Sequence, residues 1–209
     1  MDVLVLNAGV MALPKRELSK DGFEMQMATN CFGHYALLGV CMPLLKAAAK
    51  PRVVFVSSGF HHSAGGISFD DLQSEKSYEK WRVYSETKLG DLLLMHKLAR
   101  LAKEKQVPLV SVACHPGYSA TNLQTHTGLL GTFANAVVAQ AAWKGAMPTV
   151  LAAADEHVES GQYAGPRFYM WGEAQWGASQ SKYAGRAELQ DKFWAACAQL
   201  TGVDVASML

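Results

Sequence analysis

The sequence lacks a surplus of charge of either sign, since 19 Lys+Arg stand against 18 Asp+Glu in 209 residues. Proteins that bind a nucleic-acid backbone carry a basic field, so no nucleic-acid partner is expected. The chain also lacks a basic leader followed by a long apolar stretch and a small-residue cleavage site. We therefore expect an intracellular protein, cytoplasmic or in an organelle, with neither a signal peptide nor a transmembrane helix.

Cysteine is scarce, and no two cysteines form a Cys-X-X-Cys pair. The chain has Cys31, Cys41, Cys114 and Cys197. Their wide separation argues against a disulfide framework and a structural zinc, and it predicts buried thiols in a reducing compartment. The adjacent His61 and His62 are interpreted as loop residues, because neighbours in sequence point apart and no third ligand is near. No metal is expected.

Linkers, internal repeats and low-complexity tracts are missing too, so residues 1–209 are expected to form a single domain. Apolar runs predict four strands, at residues 2–6, 52–56, 108–114 and 162–169. Apolar residues at helical spacing predict four helices, at about residues 21–49, 83–103, 134–156 and 187–200. This alternation predicts an α/β fold, a doubly wound parallel sheet with helices on both faces.

Four residues give specific predictions for helix ends and bends. Asp21 and Glu24 have the spacing of a capping box, which predicts Asp21 as the N-cap of the first helix. Pro43 lies inside that helix and predicts a bend or a break. Gly202 predicts the end of the last helix.

Small and polar residues follow three of the predicted strands. They are Asn7-Ala8-Gly9, Ser57-Ser58-Gly59 and His115-Pro116-Gly117. Ligands of such sheets bind at the carboxyl ends of the strands, so these segments are expected to form the site.

Tyr84 and Lys88 stand four residues apart on the second long helix, so their side chains lie on one face. A nearby ammonium favours the phenolate and would let Tyr84 act as an acid or a base, although a surface pair has the same spacing. Ser58 is either a donor to a developing oxyanion or a helix cap. Asn30 lies inside a core-facing helix, where asparagine is unfavourable unless it serves a purpose.

Five segments together resemble the short-chain dehydrogenase/reductase family, in the family's order. They are Asn7-Ala8-Gly9, Asn30-Cys31-Phe32-Gly33-His34, Val54-Phe55-Val56-Ser57-Ser58, Tyr84-Ser85-Glu86-Thr87-Lys88 and His115-Pro116-Gly117. Residues 69–76 and 200–203 are similar to the retinol-dehydrogenase-like branch. The resemblance covers nearly the whole chain. It implies a Rossmann-like fold and hydride transfer between a nicotinamide cofactor and a carbonyl or alcohol.

The resemblance also implies a role for each catalytic residue. Tyr84 would be the acid/base, and Lys88 would lower its pKa and bind the nicotinamide ribose. Ser58 would hydrogen-bond the substrate oxygen, and Asn30 would complete a proton relay through a water. Thr87 stands where the family usually has a serine, which keeps a hydroxyl before the lysine.

The cofactor that the resemblance implies is NADP or NAD, with NADP preferred in this branch. Asn7, Ala8 and Gly9 would lie under its adenosine side, and Tyr84 and Lys88 beside its ribose. The residues at its nicotinamide half would be Pro116, Gly117 and Thr121.

The family's opening strand, glycine-rich turn and helix, which cradle the pyrophosphate, have no counterpart in the sequence. The chain therefore resembles an N-terminally truncated domain that begins at the family's fourth strand, and the missing cradle argues against activity of the isolated chain. Residues 3–6 would form an exposed sheet edge, with Leu4, Leu6, Val54 and Val56 short of packing partners. We expect a protein partner or self-association to cover this edge, unless the chain is a fragment of a longer one.

Two other functions compete with the oxidoreductase. A non-catalytic interaction or structural subunit would use the exposed edge and carry the catalytic residues as relics. A hydrolase would pair Ser58 with His61 or His115, but the sequence lacks a glycine-flanked nucleophile elbow and an evident acid partner.

Residues 107–143 contain no Asp, Glu, Lys or Arg. Prolines, histidines and glycine interrupt the stretch, so it is not a membrane-spanning helix. It is either a buried strand with its loop or an apolar lid over the substrate. The second interpretation predicts a lipophilic carbonyl or alcohol substrate, reached from a membrane surface, with residues 59–83 as a rim of the pocket.

Overall fold

A computed structural model describes residues 1–118 and 141–209, in which one sheet has the strand order β1-β2-β3-β4-β5. The strands are Val3–Leu6 (β1), Arg52–Val56 (β2), Val110–Cys114 (β3), Tyr163–Pro166 (β4) and Ala174–Trp176 (β5). The first four are parallel, and β5 runs antiparallel to β4. The predicted parallel α/β sheet is confirmed, and the carboxyl ends of β1, β2 and β3 lie side by side.

Helices cover both faces of this sheet, as expected of a doubly wound fold. They are Met25–Met27 (α1), Gly33–Lys46 (α2), Lys80–Glu104 (α3), Ala142–Ala154 (α4), Ala187–Thr201 (α5) and Val205–Met208 (α6). On one face α2 packs on β1 and α3 on β2 and β3, with α5 behind them. On the other face α4 packs on β2, β3 and β4.

The edge strand β1 buries the opposite residues from those expected to lack cover. Leu4 and Leu6 are 9% and 1% exposed and belong to the main core, whereas Val3 and Val5 are 38% and 37% exposed. The prediction for Leu4 and Leu6 is therefore wrong, because alternate residues of a strand point to opposite faces and α2 covers theirs.

The same prediction is wrong for the two valines of β2. Val54 and Val56 are buried in a second core cluster that includes Ala152 of α4. Among the described residues, the incomplete cover of this face is thus confined to β1, beyond the reach of α4.

The first long helix differs from its prediction in where it begins and where it is irregular. Its N-cap is Glu24, whose carboxylate accepts hydrogen bonds from the backbone N–H groups of Gln26 and Met27 at 3.0 and 2.7 Å, and not Asp21. The helix does not break at Pro43, which lies within the last turns of α2. The irregularity is instead a π-helical segment, Ala28–Phe32, that joins α1 to α2 and contains Asn30.

The other helices follow their predictions more closely. The second predicted helix is α3, and the last is α5, which ends at Gly202 in the left-handed conformation with φ +68°. Of the third, residues 142–154 form α4 and residues 134–140 lie outside the described residues. The fourth predicted strand is shorter than expected, and β5 was not predicted. The four cysteines are free and buried, as predicted.

Residues 25–46 are the one stretch of the described chain long and apolar enough to cross a membrane. Of its most apolar window, 56% is buried inside the molecule. Burial of this kind is typical of the core helix that this segment forms against β1.

Candidate active site

Tyr84 and Lys88 lie one turn apart near the start of α3, as their spacing predicts. The helix begins at Glu79, whose carboxylate accepts from the N–H groups of Trp81 and Arg82 at 3.0 and 2.6 Å. Tyr84 and Lys88 are 3% and 4% exposed. The Lys88 Nζ lies 6.0 Å from the centroid of the Tyr84 ring. The pair is buried, which excludes the interpretation as a surface pair.

The Lys88 ammonium is held by two protein acceptors. It donates to the Val56 carbonyl at 2.8 Å and to Asp91 Oδ2 at 2.9 Å. Burial by itself would lower the pKa of Lys88, but the adjacent Asp91 carboxylate and Tyr84 outweigh it, so the pKa is raised above its usual value. Lys88 therefore stays protonated at neutral pH and has one N–H left to donate.

The end of β2 is tied to the same turn of α3. Ser57 Oγ donates to the Lys88 carbonyl at 2.7 Å, and Lys88 in turn bonds Val56. Ser58, the next residue, is partly exposed and caps the 3-10 turn Gly59–His62 by accepting from the Phe60 N–H at 3.4 Å. As an acceptor in this cap, Ser58 keeps its own O–H free to donate to a ligand.

Asn30 joins the loop after β1 to α3. Its Oδ1 accepts from the Val10 N–H at 2.8 Å, and its Nδ2 donates to the Val10 carbonyl and to Thr87 Oγ1, both at 3.0 Å. Thr87 Oγ1 donates onward to the Tyr84 carbonyl at 2.7 Å. These bonds use both amide protons of Asn30, so its side chain fixes the position of Val10 and of the Tyr84 turn and keeps one free lone pair on Oδ1.

The loop after β1 passes close over Asn30. A Cβ on Gly9 would lie 3.3 Å from Asn30 Oδ1, so a larger residue would push against this amide. Asn7 and Ala8 are exposed beside it, at the carboxyl end of β1. The structure therefore brings Gly9 and Val10, in the loop after β1, next to Asn30.

The loop after β3 is fixed by the β4–β5 hairpin. Gly117 has φ +66°, and a Cβ there would lie 2.5 Å from the Met170 carbonyl, so no other residue fits without strain. The Tyr118 N–H donates to that carbonyl at 3.0 Å. Pro116 and Gly117 lie at the carboxyl end of β3, whereas Thr121 lies outside the described residues.

His61 and His115 are buried histidines near the strand ends. Burial lowers the pKa of each to about 4, so both are neutral at pH 7. The His61 ring contacts the Ser58 carbonyl rather than its hydroxyl. The structure therefore does not show the Ser58–His61 pair that a hydrolase would need. Within residues 1–118 and 141–209, no three His, Cys, Asp or Glu side chains form a group able to hold a metal.

Two features of the site were not predicted. Asp91 is a buried carboxylate three residues after Lys88, and its position directly before the apolar run of residues 92–95 is the sequence signal that could have revealed it. Phe60 stacks on Trp81 with ring centroids 5.1 Å apart and meets Tyr84 edge-on at 5.5 Å. Phe60 and Trp81 are distant in sequence, so this aromatic wall depends on how the 59–79 segment folds over α3.

Comparison with known proteins places this arrangement in a family. A family model described as short chain dehydrogenase matches residues 1–129. Human retinol dehydrogenase 14 is 44% identical over 126 residues, which are 60% of this chain and 36% of that protein. Human retinol dehydrogenase 13 is 34% identical over the full chain and 62% of its own length. The chain thus spans less than two thirds of either relative.

Solved structures of other proteins share the fold of this chain. A crystal structure of an uncharacterized protein from Mycobacterium paratuberculosis has a TM-score of 0.80 at 36% identity, over 97% of this chain and 68% of that one. Carbonyl reductase Sniffer of D. melanogaster shares the fold, with a TM-score of 0.52 at 17% identity over 78% and 62% of the two chains. With the family model covering more than half of its residues, the chain belongs to the short-chain dehydrogenase family and is retinol-dehydrogenase-like in sequence.

Proposed function

We propose that this chain carries the catalytic part of an NAD(P)-dependent oxidoreductase that interconverts an apolar carbonyl and its alcohol, with Tyr84 as the acid/base. The observation that supports this most directly is the buried Tyr84 with the Lys88 ammonium one turn away. A cation near a desolvated phenol stabilises the phenolate, which is the form that accepts a proton from an alcohol.

The surrounding residues fit distinct parts of that reaction. Tyr84 holds or releases the proton of the reacting oxygen, and the Ser58 O–H donates a hydrogen bond to that oxygen while charge develops on it. Asn30 keeps Tyr84 and the loop after β1 in register through Thr87 and Val10. If a water completes a relay at Asn30, the remaining lone pair on Oδ1 is the acceptor available to it.

The cofactor that this site would hold is NADP or NAD, which supplies or accepts the hydride. The remaining N–H of Lys88 suits a ribose hydroxyl, and the exposed Asn7-Ala8-Gly9 turn suits the adenosine side. Pro116 and Gly117 would face the nicotinamide half. The preference for NADP rests on the family branch alone.

An apolar substrate is supported by the aromatic wall beside Tyr84. Phe60, 40% exposed, stacks on Trp81 and borders the entry to the phenol. A hydrocarbon next to the reacting carbonyl would bury part of this surface at roughly 25 cal/mol per Å². The names of the retinol dehydrogenase relatives point to the same class of substrate.

We further propose that residues 1–209 form one partial Rossmann-like domain whose β1 edge is covered by a protein partner or by self-association. Val3 and Val5 expose an apolar face at this edge. An uncovered strand of this kind is prone to pair with other chains.

The function is tested by titrating NADPH and NADH into the purified protein and following nucleotide fluorescence, then adding an apolar aldehyde. We expect binding, and oxidation of the bound nucleotide that is lost in Tyr84→Phe while binding stays. Turnover unchanged in Tyr84→Phe would refute the acid/base assignment. A folded protein that binds neither nucleotide would refute activity of the isolated chain without the missing cradle and would favour an interaction subunit.

A further inference from the structure

The carboxylate of Asp91 lies in the interior of the protein, next to the lysine of the site. Asp91 is 0% exposed, and its Oδ2 accepts from Lys88 Nζ at 2.9 Å. Both residues lie on α3, three positions apart, so their side chains lie on the same face of the helix and the carboxylate contacts the ammonium. A fully desolvated carboxylate is strongly unfavourable without such a partner.

The pair leaves few orientations open to the ammonium. Val56 O and Asp91 Oδ2 take two of its three protons, one on the strand side and one on the helix side. Since a lysine ammonium is a rotating point charge on a flexible stem, two fixed acceptors are needed to determine where the third proton points.

From the opposite side Asp91 faces a buried histidine. His34 Nδ1, on α2, lies 3.6 Å from Asp91 Oδ1, and neither atom has a hydrogen-bond partner among residues 1–118 and 141–209. The carboxylate thus lies between the α3 lysine and the α2 histidine, with no access to solvent. The other titratable groups around the pair, within the described residues, are Tyr84 on α3, Cys31 on the π-helical segment, Cys114 on β3, Tyr163 on β4 and Cys197 on α5.

The three thiols are not alternative counterions for the Lys88 ammonium. Burial raises the pKa of Cys31, Cys114 and Cys197, so all three thiols are neutral at pH 7. Asp91 is therefore the anion that balances Lys88.

We propose that Asp91 is a positioning residue of the active site: it keeps Lys88 protonated in a buried environment and directs its free N–H towards the phenol and the cofactor ribose. This inference rests on the proposed function for its consequence, but its test requires neither nucleotide nor turnover. Without Asp91, only the Val56 carbonyl and Tyr84 would offset the burial of Lys88, and the lysine would release its proton at a lower pH.

The test is an NMR titration of lysine Cε shifts between pH 6 and 11 in folded protein with ¹³C-labelled lysine, with Lys88 assigned through Lys88→Met. In the wild type, the Lys88 midpoint should lie above that of an ordinary lysine. In Asp91→Asn its midpoint should fall by more than one pH unit. The matched control is Asp191→Asn, which removes the same charge from an ion pair with Lys97 on the surface and should leave Lys88 unchanged.

A Lys88 midpoint that is the same in Asp91→Asn as in the control would overturn the proposal. If Asp91→Asn does not fold, the wild-type titration decides alone, because a Lys88 midpoint at or below that of an ordinary lysine would show that Asp91 does not hold the proton. If the Lys88 midpoint behaves as predicted but the protein binds no nucleotide, the result counts against the proposed function and leaves the role of Asp91 standing.

Discussion

Replacing Gly90 by alanine should destabilise the protein, although alanine is the better helix former. Gly90 lies on α3 where α5 crosses it, and a Cβ there would lie 2.8 Å from two ring carbons of Phe193 and 2.9 Å from Cys31 Sγ. Carbon atoms pack best about 3.5–4.0 Å apart, so the ring would have to retreat by roughly 1 Å. Phe193 is fully buried and has no free space into which to move.

Two opposed effects determine how far the free energy of unfolding of Gly90→Ala falls. Overpacking a rigid core costs about 1–3 kcal/mol, and exchanging glycine for alanine within a helix returns about 1 kcal/mol. The free energy of unfolding should therefore fall by up to about 2 kcal/mol, measured by urea denaturation followed by circular dichroism. Ala195→Gly, at an exposed position of α5, measures the propensity effect alone and should cost about 1 kcal/mol. If Gly90→Ala were more stable than the wild type by the full propensity effect of about 1 kcal/mol, the close approach of α3 and α5 would be refuted.

Three further predictions concern the polar and strained parts of the site. Asn30→Ala removes three hydrogen bonds and should lower the free energy of unfolding by about 2–4 kcal/mol, and equal stability in urea would contradict the network. Lowering the pH from 7 to 5 should reduce the free energy of unfolding by about 2 kcal/mol for each of His61 and His115. Burial lowers the pKa of both side chains to about 4 in the folded protein, whereas in the unfolded chain they bind protons already below about pH 6.5. Urea midpoints at the two pH values measure this loss, and an unchanged midpoint would refute it. Gly117→Ala should lower the free energy of unfolding by about 1 kcal/mol or more, because the backbone angle φ of +66° and the nearby Met170 carbonyl both oppose a Cβ. The melting temperature measures this loss, and an unchanged value would show that the loop adapts.

What could be predicted from the sequence was what depends on local spacing. Residues 53–56 are continuously apolar because β2 is buried on both faces, and the predicted limits of the strand, 52–56, agree with the structure. Tyr84 and Lys88 come together because four residues make about one helical turn. Gly202 ends α5 because glycine adopts positive φ without strain.

What could not be predicted depends on contacts between distant segments. The π-helical segment places Asn30 against Thr87, 57 positions away, and no local pattern marks that pairing. Leu4 and Leu6 point to the covered face of β1 because α2 lies there, and strand alternation alone does not say which face is covered. The strand β5 has three residues, too few for a periodic signal.

The ion pair of Lys88 and Asp91 also helps to separate a catalytic protein from an interaction subunit. A buried pair gains little over apolar residues of similar size, and replacing both members together is often neutral or stabilising by about 1–4 kcal/mol. Lys88→Met with Asp91→Leu should therefore unfold at the same or a higher urea concentration than the wild type, whereas Lys88→Met alone should cost about 3–5 kcal/mol by leaving the carboxylate unpaired. The double variant should at the same time lose nucleotide oxidation. A double variant much less stable than the wild type would mean that the pair is a structural requirement of the fold, and its presence would then no longer favour catalysis.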